Sequence, residues 1–379
     1  MLVDTADELL IGVDGGATEV KAHEVGRPAP TLGLGAARAS FLYERARGFR
    51  PVPMPAQLLA FEKGTVRPSG LESAQARLWL EASARAIASV AEQAGVKRVR
   101  LGICMPGLKT ADGRGIAVMR WGPRIPDYLD RLEVMLADGG LSLGRPVSRL
   151  SSDGEACAHG ERTGARGLLR GIGCAYYLGG GTGLAEALMI DGRIHGFDAL
   201  SGFVRKAWQM EAASGRIVED LLSPRGMNSA YAAMANRELP LAPGDHPESR
   251  ALAGDEQAAR VLRDAAEALA MVIVDRMTAL RRGSQPSSVR ITPNTFLERV
   301  VIGQRLGGIF AAPALRPVFR DPVEELLARR IVATGDGALH KHYLEGSRLR
   351  ASLLVGSELR AAPAIGAVAI ELESGGGIA

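Results

Sequence analysis

Asp14-Gly15-Gly16-Ala17-Thr18 sets a carboxylate at the end of an apolar run, Leu9 to Val13, with two glycines directly after it. A carboxylate so placed can hold Mg²⁺, usually through water. Glycines beyond it let backbone N–H groups approach phosphate oxygens with no Cβ in the way. Thr18 adds a hydroxyl donor and Lys21 a cation. The same residues also make an ordinary hairpin turn. A second glycine turn, Gly179-Gly180-Gly181-Thr182-Gly183, stands between the apolar runs ending at Leu178 and starting at Leu184. Two such turns facing each other would grip a polyphosphate from both sides, so Gly15, Gly16, Gly180, Gly181, Thr182 and Gly183 are candidate nucleotide contacts. A third glycine element, Gly303-Gln304-Arg305-Leu306-Gly307-Gly308, suits adenosine. There Gly303, Gly307 and Gly308 would let a flat ring lie against exposed backbone at a helix start.

Asp153 is the candidate general base. A hydroxyl attacking a γ-phosphoryl group needs an acceptor for its proton, and a carboxylate within hydrogen-bond reach serves. Ser151, Ser152 and Asp153 are also good helix caps; the two roles can coexist, and taken by itself the cap is the stronger reading. The segment Met119-Arg120-Trp121-Gly122-Pro123-Arg124-Ile125-Pro126 offers a flat apolar face at Trp121 and fixed donors at Arg120 and Arg124. With Ser152, Asp153 and Glu155 it is a candidate acceptor pocket. The other reading of the segment is a surface loop with Trp121 pinned into the core. The six histidines show no convincing ligand spacing, although His159 follows Glu155 by one helical turn.

These residues need strands that end at them. Leu9–Val13 and a strand from about Glu19 form a hairpin around the first turn. The run Gly171–Leu178 and the run Leu184–Ile190 form another around the second, and Asp191-Gly192 makes the next tight turn. Val99–Cys104 reads as a buried strand, and Arg149–Asp153 as a strand end opening a helix from Gly154 to Gly160. Apolar spacing predicts long helices over Leu71–Gln93 and Glu256–Arg282, with a Gly/Ala-rich helix from about Ser357 to Glu373. Residues 26–70 read as strands and loops, and 236–255 as an exposed connection. The repeated hairpin predicts two related lobes. They are assigned to 1–149, joined by the helix of 357–374, and to 150–356.

A chain of 379 residues exceeds one ordinary core, which fits two lobes. With 46% hydrophobic and 23% charged residues its composition is globular. A net charge of +4 without a basic block points away from nucleic acid. The three cysteines, Cys104, Cys157 and Cys174, form no CxxC or metal spacing, and with the acidic start at Asp4, Asp7 and Glu8 they fit a cytoplasmic protein. No apolar run reaches the roughly 18 residues of a membrane span. The expectation is a soluble protein with neither a nucleic-acid nor a membrane partner.

Taken in order, Asp14 to Thr18, Cys104-Met105-Pro106-Gly107, Ser152-Asp153, Leu178 to Gly183 with Asp191-Gly192-Arg193, and Ala364-Ile365-Gly366-Ala367-Val368-Ala369 resemble the bacterial ROK sugar kinases (repressor, open reading frame, kinase). The resemblance spans nearly the whole chain. It implies an α/β fold of two ribonuclease-H-like lobes in the sugar kinase/actin/Hsp70 superfamily, with ATP and Mg²⁺ in an interlobe cleft. It also implies an aspartate base at Asp153, phosphate loops at Asp14–Thr18 and Gly179–Gly183, and a homodimer.

Three departures accompany it. The family's Asn-Asp-Ala-Asn is here Ser152-Asp153-Gly154-Glu155. The family's Glu-x-Gly-His element and cysteine-rich zinc site are replaced by His195 to Phe203, so no structural zinc is expected. The asparagine-rich sugar loop is replaced by Met119–Pro126. The leading expectation is an ATP-dependent kinase acting on a hydroxyl of a small sugar, amino sugar or cyclitol. The alternative is a catalytically silent sugar- or nucleotide-binding regulator of the same fold. Family repressors carry an N-terminal helix-turn-helix, for which a first strand starting by Leu9 leaves no room. An ATPase activator bridging an iron–sulfur cluster is disfavoured by the placing of Cys104 and Cys157.

Overall fold

The computed structural model describes residues 8–26, 30–284 and 289–374. Asp4 and Asp7 of the acidic start lie outside them. The chain divides into two compact units, one of Met1–Gly167 with Ala361–Ala379, the other of Leu168–Arg360.

The first unit opens with β1 (Leu9–Gly15), β2 (Glu19–Gly26) and β3 (Gly33–Leu42). Two helices follow, α1 (Met54–Glu62) and α2 (Gly70–Gln93), then β4 (Arg98–Cys104) and a small hairpin of β5 (Leu108–Lys109) and β6 (Ile116–Val118). After α3 (Tyr128–Asp138) come β7 (Ser142–Leu143), β8 (Leu150–Ser151) and α4 (Asp153–Thr163). The six-stranded sheet runs β3-β2-β1-β4-β7, with β8 also beside β4. The β1–β2–β3 ladder is antiparallel, while β1, β4, β7 and β8 are parallel. One face is apolar and is covered by α2, whose Trp79, Leu80, Ala86, Ile87 and Val90 recur at helical spacing and are buried. Ser69 starts this helix through a capping box with Glu72: Glu72 N donates to Ser69 Oγ and Ser69 N to Glu72 Oε2.

The other face receives the chain's last described helix, α12 (Ala362–Ser374). Gly12 of β1 and Gly102 of β4 sit opposite each other in register. A Cβ at Gly12 would stand 2.1 Å from Ala364 O, and one at Gly102 2.2 Å from Ala367 O. The glycine pair is therefore a groove in the sheet that accepts the backbone of α12. Helix α4 approaches α12 just as closely: a Cβ at Gly160 would meet Ala362 O at 2.0 Å, and one at Gly366 would meet Ala156 O at 1.7 Å. The helix begins at Ala362 rather than Ser357, because Ser357 Oγ accepts the Leu359 N–H in a local turn and Pro363 suits a first helical turn. Since α4 packs on α12, the division between units falls after Gly167 and not after residue 149.

The second unit repeats the strand order. β9 (Ala175–Gly180), β10 (Leu184–Ile190) and β11 (Arg193–Gly196) are antiparallel neighbours. β12 (Arg299–Gly303) and β15 (Leu354–Gly356) extend the sheet in parallel, giving the order β11-β10-β9-β12-β15. Asp191 and Gly192 join β10 to β11 with φ of 50° and 73°, the left-handed pair that a two-residue hairpin requires. Between β11 and β12 come α5 (Val218–Leu222), α6 (Pro224–Met234), α7 (Pro247–Leu252) and α8 (Glu256–Arg282). Asp255 Oδ1 caps α8 by accepting from Gln257 N and Ala258 N. α9 (Gln304–Ala311), α10 (Asp321–Ala333), α11 (Gly337–Tyr343) and the hairpin of β13 (Leu344–Glu345) and β14 (Arg348–Leu349) complete the unit. The stretch read as an exposed connection holds α7, and the one read as strands and loops holds α1.

Arg276 of α8 is fully buried. It donates to Glu186 Oε1 at 2.9 Å and Arg205 O at 2.6 Å, while Tyr176 Oη donates to the same carboxylate at 2.7 Å and Ala207 N to its Oε2 at 2.8 Å. This network fastens the 197–207 segment, which contains no cysteine, to the core of the unit.

Candidate active site

Asp14 is the penultimate residue of β1 and lies in register with Cys104 at the end of β4; Cys104 in turn lies in register with Ser151 at the end of β8. Three adjacent parallel strands thus deliver their carboxyl ends to one row, the place where open α/β sheets bind ligands. Asp153 stands two residues beyond Ser151, as the first residue of α4. Gly154 N donates to Asp153 Oδ1 at 2.9 Å, and Ser152 Oγ caps the helix by accepting from Glu155 N at 3.2 Å. The cap is Ser152, which leaves the Asp153 carboxylate at the positive end of the helix dipole without requiring it to close the turn.

Burial pushes the Asp14 carboxyl up to about 6; Lys21 draws it down, while Asp153 and Glu19 push it further up. Its Oδ1 lies 3.8 Å from Cys104 Sγ, and burial raises that thiol well above its ordinary range. Lys21 pairs with Glu19 at 2.8 Å. Beyond Asp14, a Cβ on Gly15 would stand 1.9 Å from Met105 Sδ, so a side chain here would have to displace that thioether. Gly16 N closes the hairpin on Glu19 O, and Tyr43 N donates to Thr18 O. Among the described residues no intramolecular hydrogen bond engages the N–H groups of Ala17 and Thr18.

Sequence reasoning passed over two cations here. Lys109 Nζ donates to Met105 O (2.8 Å) and Gly107 O (2.7 Å), and its charge reaches Cys104 and Glu155. Arg149 donates to Glu155 from both terminal nitrogens, Nη1 and Nη2; burial alone would raise that carboxyl, but the Arg149 bonds and charge more than offset it and hold it low. The signal was the position of each beside a strand end, two residues past Gly107 and one before β8.

In the second unit the corresponding row is glycine. Gly179 of β9 is in register with Gly303 of β12. A Cβ at either would meet Tyr177 Oη, at 2.8 and 2.1 Å. Gly181 N donates to Gly183 O, and Arg225 N to Gly181 O, which shapes the turn; no intramolecular hydrogen bond engages the N–H groups of Thr182 and Gly183 among the described residues. Glu219 Oε2 accepts from Leu184 N at 3.1 Å beside it. Gly180 is buried, with Leu306 and Pro224 against it. Gln304 starts α9 at φ 55°, a left-handed value uncommon for a residue with a side chain, and bridges to Gly180. Gly307 is packed: its Cβ would meet Ile302 O at 2.4 Å and Ser357 O at 2.8 Å. At Gly308 the Arg360 guanidinium fills the space.

The acceptor segment divides. Trp121 is 37% exposed with the Arg120 guanidinium 4.8 Å above its ring. Arg124 is 7% exposed and makes a two-point pair with Glu72, Nε to Oε1 at 2.8 Å and Nη2 to Oε2 at 2.7 Å. The structure commits Arg124 to the start of α2 rather than presenting it to a ligand, and its partner lies 52 residues away in sequence.

Among the described residues, no group of three or more His, Cys, Asp or Glu is arranged to hold a metal, and no helix is long and apolar enough to cross a membrane. A lone carboxylate such as Asp14 suits Mg²⁺ that arrives with its phosphates, since that ion keeps water and phosphate ligands and needs only one or two carboxylates.

No protein-family model and no curated protein matches the sequence. Solved structures do. A ROK hexokinase from Thermus thermophilus superposes with TM-score 0.55 at 18% identity, over 97% of this chain and 99% of that one. The chain has the fold of the ROK sugar kinases. A ROK glucokinase from Streptomyces griseus, in complex with glucose and AMPPNP, matches at TM-score 0.54 and 15% identity, over 96% of this chain and 98% of that one. A ROK transcriptional regulator, described as a homologue of the E. coli MLC protein, matches at TM-score 0.55 and 11% identity, over 98% of this chain and 80% of that one. The ROK fold thus carries both kinases and a regulator among the neighbours of this chain.

Proposed function

We propose that this protein is an ATP-dependent kinase that phosphorylates a hydroxyl of a small sugar, amino sugar or cyclitol. The observation that carries the reading is the row at the carboxyl ends of β1, β4 and β8, with Asp14 at one side and Asp153 just past the other. Mg²⁺–ATP, when bound, supplies the electrophilic γ-phosphoryl group. The Asp153 carboxylate accepts the proton of the attacking hydroxyl, held in its rotamer by Gly154 N–H. Asp14 is the residue that would hold the metal through water. Beside Asp14, the N–H groups of Ala17 and Thr18 are the donors that phosphate oxygens would take up. ROK-fold neighbours that are sugar kinases support the substrate class.

One observation favours the silent-regulator reading. Glu155 stands where the family carries an asparagine and is clamped by Arg149, so it is not offered to a ligand in the family's manner. The deciding experiment is acceptor-dependent ADP release over hexoses, amino sugars, acylated amino sugars and cyclitols, with Asp153→Asn alongside. Catalysis by Asp153 predicts a loss of about 10²–10⁴-fold in the variant. Its melting temperature should be unchanged, because Ser152 keeps the cap. No release with any acceptor, with nucleotide or sugar still bound, would instead favour the regulator.

A further inference from the structure

Among the described residues, four other than glycine hold a left-handed backbone: Asp191, Asn236, Asn294 and Gln304. Asp and Asn visit that region readily, since a short polar side chain can bond its own backbone. Gln304, at φ 55°, has no such relief. Strain of this kind gathers where a ligand is clamped. The residue stands where β12 passes into α9, and its backbone bridges to Gly180 in the second glycine turn.

Its side chain lies along that turn. A Cβ on Gly179 would meet Gln304 Cδ at 3.2 Å. One on Gly181 would meet Gln304 Oε1 at 3.6 Å, with no other described residue outside its chain neighbours within 4 Å. The carboxamide thus crosses Gly179 and ends over Gly181, half-buried rather than enclosed. The turn beneath it is fixed, because Gly181 N donates to Gly183 O and Arg225 N to Gly181 O. Its two ends differ in charge. Beside Gly183 stands the Glu219 carboxylate, 7% exposed, which accepts from Leu184 N at 3.1 Å and disfavours an anion there. Over Gly181 stands a neutral amide with two N–H donors, which a half-turn of the carboxamide brings to the place of Oε1.

We propose that Gln304 is a phosphate contact of the nucleotide site: its Nε2 donates to an α- or β-phosphate oxygen of a nucleoside triphosphate laid over the Gly179–Gly181 turn. The assignment rests on the ATP-dependent reading above and adds to it a side chain that grips the phosphates of the donor. A hydrogen bond from an amide to a charged phosphate oxygen is of the strong, charge-assisted kind. Glycine, the unstrained residue for this backbone, could not supply it.

The test is calorimetric titration of the full chain with AMPPNP and Mg²⁺, in wild type, Gln304→Gly and Gln304→Glu. Gln304→Gly removes the amide and relieves the backbone, so its melting temperature should equal or exceed that of wild type. Its Kd should rise about tenfold, the share of one hydrogen bond to a charged group. Gln304→Glu keeps the shape but sets a carboxylate against the phosphates. Its Kd should rise further, and the excess should shrink as salt is raised. Binding by Gln304→Gly within about twofold of wild type, or a Gln304→Glu Kd no weaker than wild type, overturns the assignment and leaves the kinase reading standing. A lowered melting temperature in Gln304→Gly gives the side chain to the fold and overturns it as well. Failure of wild type to bind AMPPNP overturns the ATP reading and the Gln304 assignment with it.

Discussion

Arg149 grips Glu155 at two points, Nη2 to Oε1 at 2.5 Å and Nη1 to Oε2 at 3.1 Å, on the helical turn that carries Asp153. The pair joins the strand end to the helix start, so it sets the direction from which Asp153 is presented. Removing the cation leaves Glu155 charged and largely enclosed. With Arg149 side chain 39% exposed, Arg149→Met should destabilise by about 1–2 kcal/mol, below the range for a fully enclosed pair. Urea unfolding with a double-mutant cycle against Glu155→Gln measures the coupling; additive effects would show that the two do not act as a unit.

Asp14 should make the stability of the ligand-free protein fall with rising pH. Its carboxyl titrates near 6 in the fold against 3.8 in the ordinary case, so between those values the folded state binds the extra proton. Stability attached to that proton is present below about 4 and is lost as pH rises through about 6. Asp14→Asn should therefore raise the melting temperature at pH 7.5 and do little at pH 4. A gain of equal size at both would mean the carboxyl is not perturbed by burial.

Gly366 should tolerate no side chain. A Cβ there would lie 1.7 Å from Ala156 O, within the backbone of α4. Gly366→Ala should cost about 1–3 kcal/mol or more and lower any turnover by displacing Asp153. Gly70→Ala, at an open first helical position, is the control and should be neutral or mildly stabilising. Matching unfolding curves for the two would refute the close helix contact.

Arg124→Met should act on stability and not on ligand binding. Glu72 would keep its bond from Ser69 N but lose a two-point partner in a buried place, worth roughly 3–5 kcal/mol. Chemical denaturation reads the loss. A weakened acceptor Kd with unchanged stability would return Arg124 to the ligand.

The glycine turns and the strands feeding them were legible because strand, turn and strand are neighbours in sequence. So were α2 and α8, the latter at the bounds its periodicity predicts, Glu256–Arg282. Helix α1 was not legible: its apolar residues Leu58, Leu59 and Phe61 cluster without marking one face, and Gln57 is its buried residue. Gln57 earns that place by bonding Met119 N and O, 62 residues on, which no local pattern announces. The same holds for the site. Asp14 and Asp153 could be picked out by type and by the strand ends before them. The register that lines them up passes through Cys104. Gly307 shows the converse, since the close approach of Ile302 O and Ser357 O is a demand for glycine that no local pattern announces.

Helix α12 fills the glycine groove of β1 and β4, although more than two hundred residues separate it from the second of those strands. During synthesis, therefore, the strands that present Asp14 wait with one face uncovered while the whole of the second unit is made. That unit can mature as it leaves the ribosome, whereas the first is completed last, by residues 362–374. A nascent chain lacking them would hold the candidate base on a helix with nothing to lean on, and chaperone capture of the early sheet should persist until they emerge.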